Sequence, residues 1–418
     1  MQNVATRFSS KIKGNLGAFG VPAYRRYWFG SFASVGAIQI STIVQGWLLI
    51  DEMGGTPLWL GYLGASASIP TIIVAIFGGV LADKFNKRTL MFIISSFMAI
   101  SLVVLALLDS SGHIKLWHVL LIAAIQGIFG GLDGPIRSSF FPLLISRKHM
   151  MSAVALSSAM WQLGRILAPA IGGWIIVSMG TEGAFFAAAI GWILMILLLI
   201  TIKVEMEESK SSFGLIGQIG EGFKYIKKNN EMLIIIIMTY ATHFFGFQSL
   251  QLMPLFAKRM GQDAGGLGLM FSVMGIGSLI GTLVVQKIKK SNYVGYIMLS
   301  GSILFCLSLI LFAFTDQFFI ALILLFIGPF FNTLYFVTSM TIVQLRVLNQ
   351  MRGRVMGIYT ITFSLIPLGG MMGGFVAEIF DERFAVTIGA VILCLITILI
   401  MIYKPNIRNI KMTDIGDR

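Results

Sequence analysis

Apolar runs of about twenty residues, repeated along the chain and parted by short polar loops, constrain this sequence more than any other property. Wound as a helix, a run of that length crosses a hydrocarbon layer of roughly 30 Å. No water is present there to bond an open backbone, so spans of this kind must be helices. Twelve runs are readable: 27–50, 58–82, 89–109, 117–145, 151–178, 183–203, 231–254, 266–287, 293–314, 318–345, 354–379 and 384–403. The 418 residues are 56% hydrophobic and only 12% charged, about half the charge of a soluble domain. The expected fold is an all-α membrane protein with twelve transmembrane helices.

A net charge of +13 suggests nucleic acid until the positions of the bases are read. Lys115, Lys258, Arg259 and Arg383 fall on one side of the membrane, and Arg137 and Arg165 fall within spans. The rest of the 31 Lys and Arg lie on the other side, in both terminal segments and in the loops at 83–88, 146–150, 203–230, 287–292 and 346–354. The positive-inside rule then places both termini in the cytoplasm. A lipid bilayer, not nucleic acid, is the expected partner. Residues 1–26 are basic, through Arg7, Lys11, Lys13, Arg25 and Arg26, and lead into a first span without a cleavage signal. Cys306 and Cys394 lie in apolar runs and read as core residues. The absence of an Asn-x-Ser/Thr sequon fits a bacterial cytoplasmic membrane.

The longest loop, 204–230, separates two sets of six spans. It opens on Glu205, Glu207 and Glu208, and from Phe213 to Lys228 apolar residues recur at helical spacing between lysines. This reads as a cytoplasmic linker with an amphipathic interfacial helix. The expected domains are a six-helix bundle at 1–203, the linker at 204–230 and a second bundle at 231–418. The halves echo each other: Ala168-Pro169-Ala170-Ile171-Gly172-Gly173 in span five has a counterpart in Ile366-Pro367-Leu368-Gly369-Gly370 in span eleven. Pro169 and Pro367 favour bends, and Gly172, Gly173 and Gly369 allow close helix approach. Two six-helix pseudo-repeats suggest a transporter with its site between them.

Between spans two and three lies Gly79-Val80-Leu81-Ala82-Asp83-Lys84-Phe85-Asn86-Lys87-Arg88. It resembles the loop pattern Gly-x-x-x-Asp-Arg/Lys-x-Gly-Arg/Lys-Arg/Lys of the major facilitator superfamily of secondary transporters. Asn86 replaces the second glycine, and Asn best tolerates the left-handed turn after Gly. Further stretches extend the match: Tyr24 to Gly30, Leu132 to Leu144, Gly164 to Gly173, and Met351 to Tyr359. Together they resemble the transmembrane secretion effector branch, which includes enterobactin and macrolide exporters. The resemblance covers essentially the whole chain. It implies the major facilitator fold and a central path lined by spans one, four, seven and ten. It also implies a conformational latch in which Gly79, Asp83, Lys84, Lys87 and Arg88 hold the outward-facing state against span eleven. One departure stands out: Gln126-Gly127 is present, but Ala123 occupies the place of an arginine found in many drug antiporters.

Asp133, Arg137 and Arg165 lie inside spans, where a charge costs about 2.5–3.5 kcal/mol and must face the interior or a wet cavity. Asp133 and Arg137 share a helix face. Counted from the turn near Lys148 at about 1.5 Å per residue, Asp133 and Arg165 reach nearly the same depth. One reading is a fixed Asp133–Arg165 pair that locks the hairpin, with Arg137 snorkelling to the surface. The other is a pair that breaks between states, freeing Asp133 to carry a proton while the surplus positive charge attracts an anionic substrate. Gln39, Gln45, Gln126, Tyr240, His243, Gln248, Asn332 and Tyr335 are the cavity-lining candidates. His243 has the ordinary pKa range to titrate near neutrality. The competing reading makes all of these plain helix-bridging groups.

No metal-ligand spacing, nucleophile with a placed base or phosphate-binding loop is readable, so no enzyme, metal or cofactor is expected. The expectation is a monomeric secondary exporter of amphipathic small molecules of the drug, macrolide or siderophore class. It would work by alternating access with protons as the coupling ion. A lipid or lysolipid flippase on the same fold is the alternative, and a sensor built on the fold is a third reading that lacks a partner domain.

Overall fold

The computed structural model describes residues 17–202, 215–288 and 293–411, with the side chains of 76–84, 215–219 and 288 outside the description. Every regular element among the described residues is helical. Spans one to four are Pro22–Trp47, Pro57–Lys84, Lys87–Ser110 and Leu116–Phe140. Spans five and six run on in Met150–Ile200 and are divided at Gly180, whose φ of 74° is a left-handed conformation that glycine adopts without strain. Span seven covers Asn230–Arg259, with one wide helical turn at Thr242–Gly246. Spans eight to ten are Ala264–Ile288, Val294–Phe314 and Phe318–Arg346. Span eleven, Arg352–Ile379, tightens at Ile361–Ser364, and span twelve is Glu382–Tyr403. The chain is a twelve-span, multi-pass membrane protein.

The turn between spans two and three differs from its sequence expectation. Asn86 has φ −59°, not a left-handed value, and its side chain accepts a hydrogen bond from the Thr89 amide at 3.0 Å. It serves as the N-cap of span three, meeting one of the amide donors that a helix start leaves open. Asn therefore fits this position through its oxygen, not its tolerance of positive φ.

The chain forms two compact units. One joins the chain up to Gln45 with Pro70–Ser212; the other joins Gly46–Ile69 with the chain from Phe213 onward. In the first unit, span one is fastened to spans five and six near the basic side. Tyr24 donates to the Ala153 carbonyl at 2.8 Å, Trp28 to Leu156 at 2.9 Å and Arg26 to Thr201 at 3.0 Å. These bonds give the Tyr24-to-Gly30 stretch a structural role.

In the second unit, span ten packs along spans eight and nine, and span eleven along spans seven and twelve. Glycine permits a close crossing of spans seven and eleven: a Cβ on Gly369 would stand 2.0 Å from the Phe244 carbonyl oxygen. Segment 46–69 belongs to this unit. Lys258 pairs with Asp51 at 3.2 Å, and the Leu58 amide donates to Glu378 at 3.1 Å. The helix Leu215–Lys228 packs on the start of span eleven. Its Ile226 joins Val355 and Ile358 in a buried cluster, and Glu221 pairs with Arg354. Apolar spacing drew an interfacial helix; the structure shows that part of its apolar face is spent on protein.

Candidate functional site

The charged centre of the first unit is built on span four. Asp133 and Arg137 stand one turn apart and are both buried. Arg137 Nε donates to Asp133 Oδ2 at 2.6 Å, and its Nη2 donates to Ser34 Oγ of span one at 2.9 Å. The guanidinium carbon lies 5.7 Å from the ring centre of Trp192 in span six, within cation–π range. Three spans are thus held on one side chain.

This arrangement corrects the fixed Asp133–Arg165 pair. Asp133 is paired with Arg137 instead, and Arg137 is buried at 6% exposure, not snorkelling. Equal depth along two helices does not set rotation about their axes, and rotation decides the partner. Arg165 is exposed and has no hydrogen bond or ion pair among the described residues.

The surroundings of Arg165 make its exposure informative. Span five exposes Leu163, Leu167 and Trp174 on one face, which suits lipid. Ser158 and Arg165 lie nearly opposite, with Gln162 beside them, and both Ser158 and Arg165 are exposed. A guanidinium at this depth is costly in hydrocarbon, so this second face is the one suited to water. Toward the far side the same face closes, where Pro169 is buried and a Cβ on Gly172 would touch Ile40 at 3.2 Å. Span four adds a parallel stripe of exposed small residues, Gly130, Gly134 and Ser138, with no atom within 4 Å of a Cβ placed at Gly134. Ser138, Ser158 and Gln162 escaped the sequence reading. Their signal was polar residues at helical spacing opposite a leucine stripe.

The amide candidates of this unit form a chain across three spans. Gln45 Nε2 lies 2.7 Å from Ser41 Oγ and 3.0 Å from Gln126 Oε1, and Gln126 Nε2 donates to Ser101 Oγ at 3.1 Å. Gln39 is half-buried on span one. Of the loop residues, Arg88 donates to the Leu199 and Ile200 carbonyls at 3.2 and 2.8 Å, capping the end of span six. Lys87 is half-buried. The side chains of Gly79, Asp83 and Lys84 lie outside the described residues.

In the second unit His243, Gln248, Asn332 and Tyr335 are buried among its helices, and Tyr240 is half-buried. The Tyr335 and Thr239 hydroxyls are 2.9 Å apart, and Tyr240 donates to the Ile358 carbonyl at 2.5 Å. His243 Nδ1 lies 2.9 Å from the Thr239 carbonyl, with its ring among Phe247, Phe336 and Phe363. Gln248 Nε2 donates to the Ala385 carbonyl at 2.6 Å. Gln248 Oε1 and Asn332 Oδ1 are buried without a partner among the described residues. A face of small residues is open on span eleven, where Gly353, Gly357 and Thr360 are exposed at helical spacing. Spans five and eleven, which echo each other in sequence, each carry such a face.

Known proteins give this geometry a family. The profile described as transmembrane secretion effector matches residues 13–416. The staphyloferrin A transporter of Staphylococcus aureus (strain NCTC 8325 / PS 47) is 24% identical over 363 residues, covering 85% of this chain and 90% of its own. The enterobactin exporter EntS of Shigella flexneri is 21% identical over 342 residues, covering 81% of each. Among solved structures, the nucleoside transporter NupG superposes with a TM-score of 0.77 at 15% identity, over 91% of this chain and 98% of its own. A bacterial homologue of the human lysosomal transporter Spinster, inward-facing and unoccupied, gives 0.70 at 15% identity, over 94% and 98%. The relatives are named as transporters, and the neighbours share the twelve-span fold. The chain belongs to the transmembrane secretion effector family of the major facilitator superfamily.

Proposed function

We propose that this protein exports an anionic, amphipathic small molecule of the siderophore class across a bacterial cytoplasmic membrane. It would act by alternating access in exchange for protons, with both termini in the cytoplasm. Arg165 carries the reading: an exposed, unpaired guanidinium on a polar membrane face attracts an anion and repays its cost only there. Iron chelators present anionic oxygen donors, and the staphyloferrin A and enterobactin relatives favour that class. Asp133 is the proton candidate, available when Arg137 turns to another partner. The relatives' names lend no support to a lipid flippase. The loop latch stays part of the proposal through Asp83 and Lys84, while Arg88 is engaged at span six.

Uptake of a tricatecholate chelator into energised inside-out vesicles tests this reading. Arg165→Gln should lower uptake at least about tenfold, the ~1.4 kcal/mol of one lost charge-assisted contact, and Arg165→Lys should restore part of it. Equal uptake by Arg165→Gln and the parent would remove the anionic-substrate claim.

A further inference from the structure

A pocket of about 270 Å³ opens where span three begins and span six ends, lined by Asn86, Arg88, Thr89, Phe92, Leu199 and Ile200. We infer that it binds the headgroup of an anionic phospholipid from the leaflet on the basic side.

The chemistry of its walls leads there. A guanidinium has five N–H donors, and Arg88 spends two on the Leu199 and Ile200 carbonyls. Those bonds fix its plane and leave donors over. Arg26 approaches the same helix end, donating to the Thr201 carbonyl at 3.0 Å, so two guanidinium groups stand on three successive residues. Thr89 is exposed and lines the pocket at the first turn of span three, whose helix start favours negative charge. The opposite wall is apolar: Phe92 and Ile200 are 40% and 53% exposed, and both belong to spans. A free anion has no use for such a wall, whereas a phosphodiester with acyl chains fits both halves. Water occupies about 30 Å³ per molecule in the liquid, so the pocket has room for a phosphate and part of its glycerol. Basic pockets between helix ends are a recurrent form of lipid headgroup site. This site is separate from the Arg165 face and does not depend on the transport reading.

The test uses the full chain in a neutral detergent, offered dioctanoyl-phosphatidylglycerol, dioctanoyl-phosphatidylcholine or inorganic phosphate, with bound molecules counted by native mass spectrometry. Two variants are compared with the parent. Arg88→Gln removes the fixed charge. Thr89→Glu places a carboxylate in the pocket at a helix position where Glu is favourable, so folding is preserved. The parent should retain phosphatidylglycerol in preference to phosphatidylcholine, and each variant should weaken that binding about fivefold or more, the effect of one base near a surface. If Arg88→Gln fails to fold, Thr89→Glu decides alone. Phosphatidylglycerol binding unchanged in Thr89→Glu overturns the site. Inorganic phosphate bound as tightly as the lipid overturns the lipid assignment.

Discussion

Arg137 sits among the Asp133 carboxylate, the Ser34 and Tyr27 hydroxyls and the Trp192 indole. A buried pair of this kind adds little net stability, but breaking it strands a charge. Asp133→Asn should therefore destabilise the protein by about 3–5 kcal/mol, while the double change Asp133→Leu with Arg137→Met should recover most of the loss. Thermal unfolding in detergent reads both, and a double variant as unstable as the single one would contradict the account. That Asp133 lies inside the protein was legible from the cost of charge in hydrocarbon, and the face it shares with Arg137 from their spacing, while the burial of Arg137 was not. The partner of Asp133 was not legible either, because helix rise gives depth while side-chain rotation depends on how neighbouring helices pack. For the same reason Tyr335 and Tyr240 read as polar points on a span, while their hydroxyls turn inward to Thr239 and Ile358.

Span eleven illustrates what sequence gives at the scale of an element. Pro367 and the paired glycines mark it as irregular, and its helix tightens at Ile361–Ser364, just before Pro367. Proline lacks an amide donor, and the first turn after a break is where that loss matters least. Gly369→Ala should cost about 1–3 kcal/mol, because its Cβ would meet the Phe244 carbonyl at 2.0 Å and the backbone must shift. Gly353→Ala in the same span meets nothing within 4 Å and should be neutral or slightly stabilising. A melting comparison of the two variants checks this, and equal stability would show that the seven–eleven crossing is looser than described. The wide turn at Thr242–Gly246 in span seven left no trace in the apolar pattern.

For the whole molecule, the twelve spans and the basic side were readable because bilayer thickness fixes run length and the charge bias is one-sided. Less readable was the packing of 46–69 with the unit formed from Phe213 onward, since no local property of Asp51 names Lys258 as its partner. Under the exporter proposal this segment exchanges partners during each cycle. The exposed pair at its tip suits that role, since pairs of this kind contribute only about 0–1 kcal/mol and separate readily. The most direct measurement is uptake of a tricatecholate chelator by purified protein in proteoliposomes with an imposed pH gradient. Antiport predicts that uptake follows the sign of the gradient, collapses when a protonophore is added, and stays low in liposomes without protein. Uptake that proceeds at the same rate with no gradient would contradict proton-coupled export.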